Sequence, residues 1–169
     1  MKKTYRIGVD LGGTNIATGL VDENNKVVDK ISCKTGLPRP AHDLEQAIAQ
    51  QCRSLAQKNN LSLEQNIEWV GIGTPGSVDS STGYVEFNAN FGYHQWELKK
   101  DMEALLPCPV FIENDANAAA YGEYSRRSAL RVPKALWSSR LARASAAVSS
   151  LTEKSFPAIT TQGQSSAIL

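Results

Sequence analysis

"YRIGVDLGGTNIATGLVDENNKVVDKIS", residues 5–32, decides the fold. Tyr5, Ile7, Val9 and Leu11 alternate with Arg6, Gly8 and Asp10, the period-two pattern of a strand with one face turned to a core. IATGLVD (16–22) and KVVDKIS (26–32) are again rich in β-formers, and Glu23-Asn24-Asn25 between them is a turn signal. Three consecutive strands with short connections predict a meander.

Beyond residue 40 the period changes. Leu44, Ala47, Ile48, Cys52, Leu55 and Ala56 recur at spacings of three and four, which predicts an amphipathic helix over 43–59 with Asp43 as N-cap and Gln46 three residues on. IEWVGIG (67–73) reads as a buried strand opening into the loop TPGS, and VDSSTGYVEF as a turn followed by a short strand. Leu98, Met102, Leu105 and Leu106 mark a second helix, stopped by Pro107 before PVFIE (109–113) returns to strand. Strands in a meander, then strands alternating with helices, predict an α/β fold with a mixed sheet covered by helices.

The bulk numbers bound the function. The 169 residues are 41% hydrophobic and 21% charged, enough for one ordinary domain or a smaller one with a remainder. A formal net charge of +1 gives no global field and does not indicate a broad basic surface for nucleic acid, so any anion site must be local. Cys33, Cys52 and Cys108 are far apart and lack a CxxC pair or a nearby histidine, so neither a disulfide framework nor a zinc site is expected. A reducing cytoplasm fits. MKKTYRIGVD reaches Asp10 after very few apolar residues, unlike a signal-peptide core, and no run approaches membrane-spanning length.

Four stretches carry chemistry. In GVDLGGTN (8–15) paired glycines let backbone N–H groups approach an anion with no Cβ in the way, Thr14 and Asn15 add side-chain donors, and Asp10 at the strand end suits a phosphate-bound Mg2+. A second strand follows the turn, which separates it from nucleotide loops that open a helix. In GIGTPGSVD (71–79) a strand opens into a loop that can set Gly76 and Ser77 against a flat polar ligand. EFNANFGYHQWEL (86–98) offers Asn88 and Asn90, whose amides supply the donor and acceptor that vicinal sugar hydroxyls require, although an asparagine turn reads equally well. In IENDANAAAYGEY (112–124) Asp115 stands where strand passes into helix, as either an N-cap or a general base, with Asn114 beside it. His42 and His94 read as surface residues.

These four stretches, in this order, resemble the ROK family of bacterial glucokinases, fructokinases and N-acetylmannosamine kinases. The resemblance covers residues 4 to about 124. It implies a ribonuclease H-like, actin-like lobe and ATP-dependent phosphorylation of a hexose, with glucose at its 6-hydroxyl as the expected substrate. It implies further that Asp115 is the catalytic base, and that Gly76, Ser77, Asn88, Asn90, Asn114 and Asp115 hold the sugar. Asp10, Gly12, Gly13, Thr14 and Asn15 would face ATP, with Asp10 toward Mg2+. Members are often homodimeric. A non-catalytic sugar-binding or regulatory relative is the alternative; the family's repressors carry a helix-turn-helix ahead of the first strand, and a strand from about residue 4 leaves no room for one.

The family's second lobe carries a glycine-rich phosphate segment, a Glu-x-Gly-His stretch, a cysteine-rich zinc loop and the adenosine pocket, none of which is legible here. Residues 125–169 instead lack turn grammar and, Glu153 apart, acidic side chains. For one permitted set of codons, WSSRLARASAAVSSL (137–151) read one base earlier gives VVVTLGTGVGGGIII, which looks like the missing phosphate segment. The expectation is a domain over 1–124 truncated to one lobe, followed by a poorly ordered tail out of frame from near Ser125.

Overall fold

A computed structural model of the protein describes residues 4–120. The expected tail, and with it the boundary at 124, lie outside the described residues.

The meander forms as β1 (Tyr5–Leu11), β2 (Asn15–Val21) and β3 (Val27–Lys34). Helix α1 (Ala41–Lys58) and the single turn α2 (Leu63–Asn66) lead into β4 (Ile67–Thr74). A three-stranded antiparallel sheet of β5 (Ser77–Asp79), β6 (Tyr84–Asn88) and β7 (Tyr93–Trp96) follows, then α3 (Leu98–Leu105) and β8 (Val110–Asn114). The main sheet runs β3-β2-β1-β4-β8, with β1 antiparallel to β2 and parallel to β4, and β4 parallel to β8. It is the mixed sheet that the sequence pattern predicts.

Register explains the core. Ile7 pairs with Leu20 and Val70, Val9 with Thr18 and Ile72, and those β4 residues with Val110 and Ile112. Directly paired residues share a face, and this face is buried with Leu44, Ile48, Cys52 and Leu55 of α1 in one cluster. On the other face Gly8 aligns with Gly19 and Gly71, and Asp10 with Ala17 and Gly73. Asp10 is therefore flanked by residues with almost no side chain.

Two expectations need correction. The chain enters α1 at Ala41, after Pro40 in extended conformation with no side-chain cap, so Asp43 is in the first turn and is not the N-cap. The stretch expected as loop and asparagine turn contains strands β5 and β7, whose three and four residues are too short and polar to show a period. No helix among the described residues is long and apolar enough to cross a membrane.

Candidate functional site

Strands β1, β4 and β8 run parallel, so Asp10, Thr74 and Asn114 come to the same edge of the sheet, where ligands of open α/β sheets bind. The turn after β1 is held from one side. Thr35, wholly buried, donates its hydroxyl to the Gly12 carbonyl at 2.6 Å and its N–H to the Thr14 carbonyl at 2.9 Å. Gly13, Thr14 and Asn15 stay exposed. A Cβ on Gly12 would come within 3.1 Å of the Asn15 carbonyl, whereas one on Gly13 would meet nothing within 4 Å. Among the described residues the space over Gly13 is clear, as a phosphate cradle requires.

Asp10 is half-buried, and its pKa is raised, first by burial and then by the charge of Asp115. The sheet edge thus brings together the two carboxylates that sequence reasoning assigned to phosphate and to proton transfer. Among the described residues no cluster of three or more metal-ligating side chains occurs. One carboxylate is still what a nucleotide-bound Mg2+ asks of a protein, and a half-buried acid with an acidic neighbour favours a cation.

Asn114, not Asp115, caps the helix over 115–120. Its Oδ1 accepts from the N–H groups of Ala116 and Asn117 at 3.0 and 3.1 Å. Its Nδ2 donates to the Gly76 carbonyl at 2.9 Å, which ties the β4–β5 loop to the helix. Asp115 accepts only the Ala116 N–H among these cap bonds, at 2.8 Å. Of the two roles the sequence offered Asp115, the N-cap belongs to the residue before it.

Gly76 sits at φ 111°, where an L side chain is strained, and a Cβ there would drive into the Phe87 carbonyl. Asn88 is wholly buried. Its Nδ2 donates to the Pro75 carbonyl at 2.5 Å and to Thr74 Oγ1 at 3.3 Å, and its Oδ1 accepts from the N–H groups of Asn90 and Phe91 at 3.1 and 3.3 Å. This amide anchors the loop, and Asn90 is the exposed member of the pair. Ser77 turns to Glu86, donating at 2.9 Å. His42 and His94 are exposed as expected, His94 stacked on Phe87 at 4.7 Å.

Two residues of this region, Thr35 and Glu45, escaped the sequence reading, and Trp96 entered it only as a neighbour of the asparagines. Thr35 carries no local signal. Glu45 occupies an apolar position of the α1 stripe and Trp96 an apolar position of β7, so an acid on a core-facing face was the one clue available.

The ROK family profile matches residues 6–136. Over 124 residues the chain is 36% identical to the glucokinase of Thermotoga maritima, covering 73% of this chain and 37% of that protein. A crystal structure of a ROK family glucokinase from Streptomyces griseus in complex with glucose and AMPPNP superposes with a TM-score of 0.62 at 38% identity, over 71% of this chain and 36% of the other. A ROK hexokinase from Thermus thermophilus gives 0.63 at 30% identity, over 72% and 38%. The fold is that of these kinases, and the chain spans a little over a third of the length of the relatives it matches.

Proposed function

The chain belongs to the ROK family, and on that premise we propose that its described residues form the sugar- and phosphate-facing lobe of an ATP-dependent hexose kinase acting on the 6-hydroxyl of glucose. The observation that carries this reading is the placement of Asp10 and Asp115 at the carboxyl edge of the parallel strands, near enough that the charge of Asp115 raises the pKa of Asp10, beside a turn in which Gly13 is clear of the described residues. Asp115 accepts the hydroxyl proton as the oxygen attacks the terminal phosphate, the phosphorus–oxygen bond to the β-phosphate breaks and ADP leaves. Asn90, Asn114 and the Gly76 loop orient the sugar, with Asn88 and Ser77 shaping that loop. Gly12, Gly13, Thr14 and Asn15 face the ATP phosphates. Asp10 is the residue that would hold Mg2+, which on binding with the nucleotide neutralises phosphate charge.

Relatives named as glucokinases at 36% and 39% identity support glucose as the hexose, and we propose a cytoplasmic setting for the chain. We also propose that the lobe ends near residue 124 and that the reading frame slips near Ser125. Sequencing the coding DNA tests this; codons that restore no glycine-rich phosphate segment in any frame overturn it. The 169-residue chain by itself is then weakly active or inactive, because the sugar of such kinases lies between two lobes that close. Calorimetric titration with glucose, with and without ATP, and a coupled assay of hexose phosphorylation test the whole reading. Glucose binding with little turnover is expected, and no binding of any hexose contradicts it. Binding in a chain extended by a restored second lobe, still without turnover, would favour the regulatory alternative.

A further inference from the structure

Glu45 lies on the core-facing stripe of α1 and is only 4% exposed. An apolar residue there would pack with Leu44 and Ile48, and burying a carboxylate is costly unless it is hydrogen-bonded. Its Oε1 accepts from the indole Nε1 of Trp96 at 2.6 Å. His42, on the same helix and exposed, sets Nδ1 3.7 Å from Oε2. Burial pushes the Glu45 carboxyl up, the Trp96 bond opposes it, and Asp101 of α3 adds to the rise. The groups that face the acid among the described residues are the Trp96 indole, the exposed His42 imidazole, the Asp101 carboxylate and the Tyr93 phenol.

The indole leads to the sugar loops. Trp96 ends β7, and β7 pairs with β6 in the register Trp96 to Val85, His94 to Phe87 and Tyr93 to Asn88. Asn88 in turn grips the Thr74–Pro75 turn and the N–H groups of residues 90 and 91. A second tie runs alongside: the Tyr93 hydroxyl donates to the Arg39 carbonyl at 2.6 Å, and Arg39 Nη1 donates to the carbonyl of Thr35, the residue that clamps the diglycine turn. The small sheet is therefore fastened to the start of α1 through polar groups at two points.

We propose that Glu45 is a positioning residue of the sugar site: through Trp96 it latches the β6–β7 hairpin to α1 and so holds Asn88 and Asn90 beside Gly76 and Asn114. This rests on the sugar-binding reading of the hairpin. Glu45→Gln keeps an acceptor for the indole, whereas Glu45→Ala removes it and leaves the Trp96 N–H buried without a partner.

Amide hydrogen exchange on the full chain tests the latch without any ligand. Glu45→Ala should speed exchange at Asn90, Phe91 and Gly92, whose N–H groups bond to Asn88, by about tenfold or more while β1 stays protected. Glu45→Gln should behave as wild type. Should Glu45→Ala fold poorly, Trp96→Phe removes the same donor while keeping a ring and should give the same selective loosening. Unchanged exchange in the hairpin, or an equal rise in β1, overturns the proposal. Calorimetry with glucose then gives a drop in affinity of about tenfold for Glu45→Ala and none for Glu45→Gln; equal affinities would confine the latch to folding and overturn its role at the site. A wild-type chain that binds no hexose would sink the sugar reading instead, and the exchange comparison would still decide whether the latch exists.

Discussion

Asp10 and Asp115 set the residue-scale physics of this lobe. Burial and the neighbouring charge raise the pKa of Asp10 above its ordinary 3.8. A carboxyl raised on folding contributes stability below its unfolded value, and that contribution is lost as pH rises through the folded value. At neutral pH the charged pair therefore strains the fold. Asp115→Asn removes the repulsion and keeps an oxygen for the Ala116 N–H. It should raise the urea midpoint near pH 7, with the advantage fading as pH falls through the raised value of Asp10, above 3.8, while destroying the proposed proton acceptor. A midpoint difference that does not change with pH would contradict the pairing. Gly76 makes a second test. Gly76→Ala should cost about 1–3 kcal/mol in urea unfolding, from its strained φ and the clash with the Phe87 carbonyl. Gly13→Ala, with open space around the added Cβ, should cost a few tenths at most. Asp10, the diglycine turn and Asp115 were legible in the sequence because their chemistry sits at predictable strand ends. The engagement of Asn88 was not, since an amide looks the same whether it faces a ligand or its own loop.

At the scale of elements, strength of period decided what could be read. β1 and β4 carry alternating or continuous apolar runs of seven and eight residues, and α1 repeats its stripe over eighteen. β5 and β7 exist because β6 pairs with both and because Val85 and Trp96 bury one side, which is tertiary information. The start of α1 was misplaced by two residues because Asp43 looked like a cap, whereas the extended Pro40 already turns the chain into the helix. The same helix sorts the cysteines. Cys52, on the α1 stripe, is wholly buried and its thiol is pushed up to about 12, while Cys33 on edge strand β3 is exposed. Iodoacetamide at mildly alkaline pH should modify Cys33 quickly, and Cys52 and the buried Cys108 only on unfolding. Mass spectrometry reads the outcome, and rapid labelling of Cys52 in the folded chain would show that α1 does not pack as described.

For the described residues as a whole, the order β3-β2-β1-β4-β8 brings Asp10, Thr74 and Asn114 to one edge. Residues from three of the four stretches, between Asp10 and Asp115, share that edge because β1, β4 and β8 are parallel. The meander and the alternation after it made this architecture legible. The polar ties from α1 to the small sheet were not, because they join residues as far apart as Glu45 and Trp96. The chain spans a little over a third of its relatives' length, so what it can be asked directly is whether its edge holds a sugar. Titration of the 15N-labelled chain with glucose, followed by amide chemical shifts, asks this most directly. Saturable shifts should gather at Gly76, Asn90, Asn114 and Asp115 and disappear in Asp115→Ala. Shifts absent from these residues, or unchanged in that variant, would contradict the placement of Asp115 at a sugar site.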